Sequence, residues 1–152
     1  MQDRSIASLV ARLTIASSLS FAGWAHAGEC PAGKAAANPL ANAPSAPVGV
    51  TDTELASVDL SKENVKLDQR RLRLRHMTIA PGGIVPLHSH AGRPALIIVV
   101  TGTVVEHRST CSVGIVHKAG EIASESDGIS HWWKNVGTVP AVLLSADVKA
   151  RD

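Results

Sequence analysis

Residues 81–102 read PGGIVPLHSHAGRPALIIVVTG, a glycine-flanked stretch that carries a pair of histidines between two apolar runs. His88 and His90 stand two residues apart on a strand predicted over residues 84–90. Side chains along a strand alternate between its two faces, so both imidazoles point to the same face. A second strand is predicted over residues 95–101. The stretch therefore predicts β-structure with a histidine pair on one face.

A further histidine lies in the stretch HWWKN, residues 131–135. On a strand, His131, Trp133 and Asn135 share one face by the same period of two. If this strand lies opposite residues 84–90, the three imidazoles converge on one point. Neutral imidazole binds Zn, Cu, Fe and Ni, and three nitrogen ligands on one side leave the opposite positions open to water, oxygen or substrate. His88, His90 and His131 are therefore the predicted metal ligands.

The rest of the chain from residue 50 onward has the pattern of an all-β domain. Short apolar or alternating runs recur between Gly, Pro, Asp and Asn residues, and no stretch predicts a long helix. Many short strands of this kind favour a closed sandwich or barrel. The predicted strands are residues 65–67, 71–79, 84–90, 95–101, 103–107, 111–117, 131–135 and 139–146. Residues 50–152 form the predicted β-barrel domain.

The first 49 residues predict export and an extended lead-in. Arg4 and Arg12 precede an apolar run that ends in a small-x-small site at residues 25–27, which predicts a signal peptide (residues 1–27) cleaved after Ala27. Residues 28–49 are rich in Ala and Pro and poor in large apolar side chains, so we expect an extended segment. A periplasmic or secreted location follows, with no membrane partner after processing.

The only two cysteines, Cys30 and Cys111, bear on the same question. Disulfides persist in oxidising compartments, so we expect the two to pair in an exported chain. Free thiols, or a bridge from Cys30 to another molecule, are the alternatives.

Charge is nearly balanced along this chain. A formal net charge of +2 over 152 residues gives no bias toward nucleic acid or membranes. The most regular charged pattern is RLRLR at residues 71–75, which sends Leu72 and Leu74 to one face and three arginines to the other. We expect the arginines on a solvated outer face. They face an anionic substrate or a partner subunit only if the leucines meet a second apolar layer, such as a dimer interface.

The spacing of these residues resembles the two sequence motifs of the cupin superfamily. The first motif is matched in its intervals by Gly82, His88, His90 and Gly102, and the second by Gly120, Gly128, His131 and Asn135. The resemblance covers about residues 71–146. It implies a small all-β cupin barrel, jelly-roll-like or a double-stranded β-helix, as in small single-domain bacterial cupins. Two positions depart from the motifs: Ala95 stands where the first motif has its Glu ligand, and Ser126 replaces the Pro of the second.

Without that glutamate, the site resembles the three-histidine cupins such as cysteine dioxygenase and diketone-cleaving dioxygenases. The resemblance implies a divalent Fe, Mn, Ni, Cu or Zn ion, a small-molecule substrate, and oxygenase, lyase or isomerase chemistry. Glu106 or Glu125 from a neighbouring strand or loop is an alternative source of the carboxylate. A barrel that lost its metal together with the glutamate is the other alternative.

The remaining aromatic and polar residues have expected places around this site. We expect Trp133 to wall the pocket, and Asn135 either to orient a neighbour of the ligands or to close the end of its strand. Trp132 is expected to point outward, and His107 and His117 to lie on the surface. Two further classes of function stay open: a non-catalytic module that binds a metal or a small ligand, and a metal-free structural cupin that assembles as a homodimer.

Overall fold

The computed structural model describes residues 28–151, and the predicted signal peptide, residues 1–27, lies outside the described residues. Within residues 28–151 the chain is all β, as predicted, and no helix there is long and apolar enough to cross a membrane. The strands are β1 (Val48–Asp59), β2 (Arg70–Ser89), β3 (Ala95–Thr101), β4 (Thr103–Arg108), β5 (Ile115–Lys118), β6 (Ile122–Glu125), β7 (Ser130–Asn135) and β8 (Ala141–Ala150).

The strands form one curved sheet whose two ends approach each other. The order across the sheet is β5-β4-β7-β2-β8-β3-β6, and β1 pairs with β2 outside this path. β5 and β6 lie at opposite ends of the path, yet only residues 119–121 separate them in the chain. A connection this short forces the sheet to curve back on itself, which makes it a nearly closed barrel. The predicted jelly-roll-like cupin barrel is confirmed.

Several observed strands differ from the predicted ones. Residues 71–79 and 84–90 belong to one continuous strand, β2, which passes through Gly82 at a φ of +73°. Residues 65–67 form no strand, because they lie in the turn between β1 and β2. β1 is a mostly exposed edge strand and β6 has four residues, so neither has a strong apolar pattern. The predicted strand 111–117 begins only at Ile115.

The barrel interior is aliphatic apart from one tryptophan, with a core of Met77, Ile79, Ile97, Val99, Val104, Ala123, Trp133, Ala141 and Leu143. On β2 the alternation continues from Ile79 and Met77 to Arg75, which is only 9% exposed. Leu72 and Leu74 on the opposite face are 41% and 37% exposed. The expectation of a solvated arginine face is therefore wrong. The buried Met77 and Ile79 decide which face of β2 points inward, and the arginines alternate onto that same face.

The lead-in is held against the barrel near its start and near its end. Cys30 and Cys111 form the expected disulfide across 81 residues of sequence. The Asn38 side chain donates a hydrogen bond to the Cys111 carbonyl at 3.1 Å. Further along, the Leu87 amide donates to the Pro44 carbonyl at 2.8 Å, which brings the segment beside the histidine-bearing end of β2.

Candidate metal centre

Three histidine rings meet inside the barrel. β2 and β7 are antiparallel neighbours, and their register places His88 directly opposite His131. His90 lies just past the end of β2. The Nε2 atom of His88 is 3.2 Å from that of His90 and 3.0 Å from that of His131. The structure thus brings the three predicted ligands to one point.

Each ring is oriented through its other nitrogen. The Nδ1 atom of His88 donates to the Pro86 carbonyl at 2.8 Å, and that of His90 donates to the Arg93 carbonyl at 2.8 Å. His131 donates from Nδ1 to the Glu106 carboxylate at 2.7 Å. With all three protons on Nδ1, the Nε2 lone pairs point toward one another. Hydrogen bonds of this kind fix the tautomer and ring orientation of metal-binding histidines.

This donor set fits a metal ion. Unprotonated nitrogen atoms about 3 Å apart repel one another unless a cation lies between them. With metal–nitrogen bonds of about 2.1 Å, ligands at right angles have nitrogen atoms about 3.0 Å apart. The separations of 3.2 and 3.0 Å from His88 to His90 and to His131 match neighbouring ligands of one ion, and three histidines leave further positions of that ion open.

The histidines are neutral at neutral pH. Burial first, and then the neighbouring His131, lower the pKa of His88 to about 4 and that of His90 to about 4. Burial also lowers the pKa of His131, although the Glu106 carboxylate opposes this change. Neutral imidazole is the form that binds metal, so protons compete little for these nitrogens at pH 7.

Behind His131 lies a fully buried charge cluster centred on Glu106. This carboxylate accepts two hydrogen bonds from Arg108, at 2.7 and 2.8 Å, and one from Nε2 of His117 at 3.0 Å, besides the one from His131. Burial alone raises the pKa of Glu106, but these donors together hold it far below its ordinary value. Glu106 is therefore an ionised carboxylate that fixes a histidine of the centre.

The second carboxylate of this cluster, Glu125, behaves differently. Burial first, and then the charge of Glu106, raise its pKa to about 8. Its Oε2 atom lies 3.4 Å from Nδ1 of His131, on the same side of the ring as Glu106. Both carboxylates thus lie opposite the Nε2 atom that faces His88. Glu106 and Glu125 thus form a second group with His131 that could hold a cation, on the side of the ring away from His88 and His90.

Trp133 and His117 pack together next to this cluster. Trp133 is 2% exposed, and its indole nitrogen lies 3.0 Å from Nδ1 of His131. His117 stacks on the indole at 4.6 Å between ring centroids and is fully buried, so the expectation that it lies on the surface is wrong. His107 instead stacks on Trp132 at 4.1 Å, and both are half-buried.

Asn135 and Ala95 lie apart from the convergent nitrogens. The Asn135 side chain donates to the carbonyls of Ile79 and Val139, at 2.9 and 2.8 Å, and accepts from the Gly137 amide. It closes the end of β7, which is one of its two expected roles. Ala95 is buried on β3 and supplies no ligand atom. The centre therefore has three histidines and no carboxylate from β3.

Two neighbouring cavities border the histidines. The inner chamber, of about 20 Å³, is lined by Arg75, Met77, Val85, His88, His90, Ile97, Trp133 and Leu143. Such a space holds roughly one water-sized group. The outer cavity, of about 370 Å³, shares Arg75, Met77, Val85 and His88 with it and adds Pro47, Val50, Asp52, Pro86 and Arg93. A small molecule in the outer cavity would therefore lie beside His88, Arg75 and Arg93.

The arginines of this cavity are the site residues that sequence reasoning did not select. Arg73 binds the fully buried Asp147 with two hydrogen bonds of 2.8 and 2.7 Å, and Arg75 pairs with Asp52. Arg93 comes from the turn after His90, and its guanidinium lies 3.5 Å from Nε2 of that histidine. Arg73, Arg75 and Met77 are spaced two residues apart on one strand and therefore share a face, so the apolar Met77 could have indicated that the arginines point inward.

Comparison with known sequences agrees with this architecture. A sequence profile described as the cupin domain matches residues 75–147, which include the three histidines. The chain belongs to the cupin superfamily. This cupin is 38% identical over 74 residues to Germin-like protein 8-14 of Oryza sativa subsp. japonica, which covers 46% of the chain. It is 32% identical over 105 residues to Nectarin-1 of Nicotiana langsdorffii x Nicotiana sanderae, which covers 64% of the chain. It spans only 35% and 45% of the lengths of these relatives.

Solved structures share the fold of this cupin. A recombinant oxalate oxidase in complex with glycolate has a TM-score of 0.52 at 23% identity, covering 68% of this chain and 52% of the other. A structure described as a predicted oxalate decarboxylase from Thermotoga maritima has a TM-score of 0.53 at 19% identity, covering 74% of this chain and 96% of the other. At such identities the likeness shows the fold alone.

Proposed function

We propose that this protein is an exported metal-dependent cupin that binds one divalent transition metal through His88, His90 and His131 and acts on a small molecule. The observation that carries the proposal is the convergence of three Nε2 atoms, with that of His88 3.2 Å from His90 and 3.0 Å from His131, each on a ring whose Nδ1 is held by an acceptor. Fe, Mn, Ni, Cu and Zn all suit this donor set.

A bound divalent ion would supply Lewis-acid chemistry, and an Fe, Mn or Cu ion could also exchange electrons with oxygen. The chain's own residues provide the surroundings. Met77, Ile97 and Leu143 line the inner chamber with apolar surface and limit the water that enters it. Glu106 keeps the proton of His131 on Nδ1, so that the lone pair of Nε2 stays free to bind a metal. Arg75 and Arg93 face whatever occupies the outer cavity.

The relatives supply a class of chemistry to test. One solved neighbour is an oxalate oxidase holding glycolate, so oxygenase or oxidase activity on a small oxygen-bearing compound is our first candidate. The second candidate is a non-catalytic module that captures a metal or a small ligand. It is favoured by the lining of the two cavities, which within the described residues offers Asp52 as its carboxylate and no separate acid–base pair.

Export is part of the proposal. The Cys30–Cys111 disulfide supports an oxidising compartment, as does the expected signal peptide. The homodimer also stays a prediction. Leu72 and Leu74 point outward and are exposed, so a dimer interface would supply the second apolar layer that inward arginines call for. Light scattering of the purified protein measures the mass directly.

The test of the proposal is metal content. Protein purified without a histidine tag is analysed by mass spectrometry for metals, beside His88→Ala and the control His107→Ala. His107 stacks on Trp132 outside the centre, so its loss removes a histidine without touching the ligands. We expect one metal per chain in the wild type and the control, and none in His88→Ala. A wild type without stoichiometric metal, even after incubation with each of the five ions, refutes the proposal.

Activity then separates the enzyme from the binding module. Oxygen consumption by the metal-loaded protein is followed over a panel of thiols, diketones, phenols and glycolate. Turnover of one class, lost in His88→Ala and kept in His107→Ala, supports the enzyme. A metal-loaded protein that is inert over the whole panel favours the binding module.

A further inference from the structure

Two arginines, Arg75 and Arg93, line the outer cavity next to the candidate metal centre, and a third, Arg73, lies near them and shares their contacts with Asp147. Arg73 and Arg75 come from β2, and Arg93 from the turn that follows His90. Their side chains are only 12%, 11% and 22% exposed. Burying a guanidinium is costly unless its charge is matched. Three of them beside one pocket therefore call for matching negative charge.

The carboxylates nearby match this charge only in part. Asp147 is fully buried and is bound by Arg73 through two short hydrogen bonds. Arg75 and Arg93 approach the same Oδ2 atom only to 3.7 and 3.5 Å. Glu54 lies closer to Arg71, at 2.7 Å, than to Arg73, at 3.8 Å. Asp147 is thus already occupied by Arg73.

Arg75 and Arg93 keep unused hydrogen-bonding capacity. Arg75 pairs with Asp52 at the rim, and its buried Nε has no acceptor among residues 28–151. Within residues 28–151, the hydrogen-bond contacts of the Arg93 guanidinium are long, 3.5 Å to Asp147 and 3.5 Å to Nε2 of His90. Hydrogen bonds to a guanidinium are ordinarily 2.7–2.9 Å, so about 3.5 Å is a weak contact.

The charge balance of the pocket points the same way. Arg73, Arg75 and Arg93 carry three positive charges, and Asp147 and Asp52 carry two negative ones. Ala95, which is buried, brings no carboxylate to the centre. One positive charge is in excess before any metal binds, and a divalent ion would raise the excess to three. An anion in the outer cavity would meet this charge.

We propose that Arg75 and Arg93 form a binding subsite for the carboxylate group of a small organic acid, at the boundary between the outer cavity and the histidines. The planar guanidinium of Arg93 binds one carboxylate edge, and Arg75 binds it by releasing part of its pairing with Asp52. The contact of the same ligand with a metal rests on the proposed function. The arginine subsite itself does not, because it is formed without a metal.

The test uses metal-free protein, prepared by dialysis against EDTA and titrated with sodium malonate in a calorimeter. We expect one malonate per chain in the wild type and at least tenfold weaker binding in Arg93→Gln. The matched control is Arg151→Gln, which removes an exposed arginine paired with Asp59 and should bind malonate within twofold of the wild type. Inorganic phosphate serves as the tetrahedral probe and should bind more weakly than malonate.

A second variant gives a gain that misfolding cannot imitate. Asp52 is the rim carboxylate that competes for Arg75, and its side chain is 36% exposed. Asp52→Asn should bind malonate at least threefold more tightly, whereas Asp68→Asn, the same change in an exposed loop, should not. The subsite is refuted if the wild type binds no malonate, if Arg93→Gln binds it equally well, if Asp52→Asn does not tighten binding, or if phosphate binds more tightly than malonate.

The two proposals fail separately. If no metal binds the histidines, the proposed function is lost while malonate binding to the metal-free protein remains. If metal binds and malonate does not, the subsite alone is refuted.

Discussion

Neutralising Glu106 is the perturbation for which the structure gives the clearest magnitude. Glu106→Gln removes the charge that accepts hydrogen bonds from Arg108, His117 and His131 in a fully buried place. Arg108 then lacks its main counter-charge, and breaking a buried ion pair costs about 3–5 kcal/mol. The glutamine oxygen can still accept a hydrogen bond from Arg108, and Oε1 of Glu125 lies 3.3 Å from the Arg108 guanidinium. We therefore expect the free energy of unfolding to fall by about 3 kcal/mol, the low end of that range.

The same substitution weakens metal binding. A carboxylate behind a metal-binding histidine contributes about 10- to 100-fold in affinity, which is about 1.4 to 2.7 kcal/mol. The double variant Glu106→Gln/Arg108→Met removes both charges together, so it leaves no orphaned arginine and should lose less stability than the single variant. Its metal binding should still be about 10- to 100-fold weaker, because His131 no longer donates to the Glu106 carboxylate.

Two measurements separate these effects. Urea unfolding gives the stability of the metal-free proteins, and competition with a chromogenic chelator gives their Zn²⁺ affinity. Glu63→Gln, in an exposed loop, is the control. Unchanged Zn²⁺ affinity in the folded double variant would refute the role assigned to Glu106, whatever happened to stability.

The remaining predictions concern three other parts of the molecule. Ala95→Glu places a carboxylate where the cupin motif has one, and chelator competition should show about tenfold tighter Zn²⁺ binding; weaker binding would mean that β3 does not face the metal. Burial and Glu106 raise the pKa of Glu125 to about 8, so the folded protein holds this proton more tightly than the unfolded chain, and stability should fall as the pH rises from about 4.5 to 8. Glu125→Gln should flatten that slope in urea unfolding of metal-free protein, and an unchanged slope would assign it to another group. Cys30→Ser removes a disulfide across 81 residues and should lower the free energy of unfolding by up to about 4.5 kcal/mol relative to the oxidised wild type, by the chain-entropy model. Its urea midpoint should equal that of the reduced wild type, and a different midpoint would show another role for Cys30.

Local patterns predicted the histidine-bearing parts of the fold. The strand Ala95–Thr101 has its predicted bounds because an apolar run there stands between Pro94 and Gly102. His88 and His90 lie near His131 because period-two spacing on two paired strands requires little more than the correct neighbours. The resemblance to cupins supported the pairing of these two strands, since the pattern of a strand alone does not indicate which strand it pairs with.

What the sequence did not reveal depends on contacts between distant residues. From the sequence, Glu106 and Glu125 were alternative metal ligands and His117 was a surface residue, and only the closure of the barrel buries all three beside His131. The arginines of β2 were assigned to the surface because charged side chains are rarely buried without partners. Their partner Asp147 lies on β8, 74 residues from Arg73, where no local pattern connects the two.

The central claim is that three imidazoles hold one metal, and X-ray absorption at the edge of the bound metal tests it most directly. The spectrum of the metal-loaded protein should fit three imidazole nitrogens at about 2.1 Å with the remaining positions filled by light oxygen ligands. The His88→Ala protein should not give this spectrum. A fit with fewer than three imidazoles, or with sulfur or carboxylates as the main ligands, would contradict the centre formed by His88, His90 and His131.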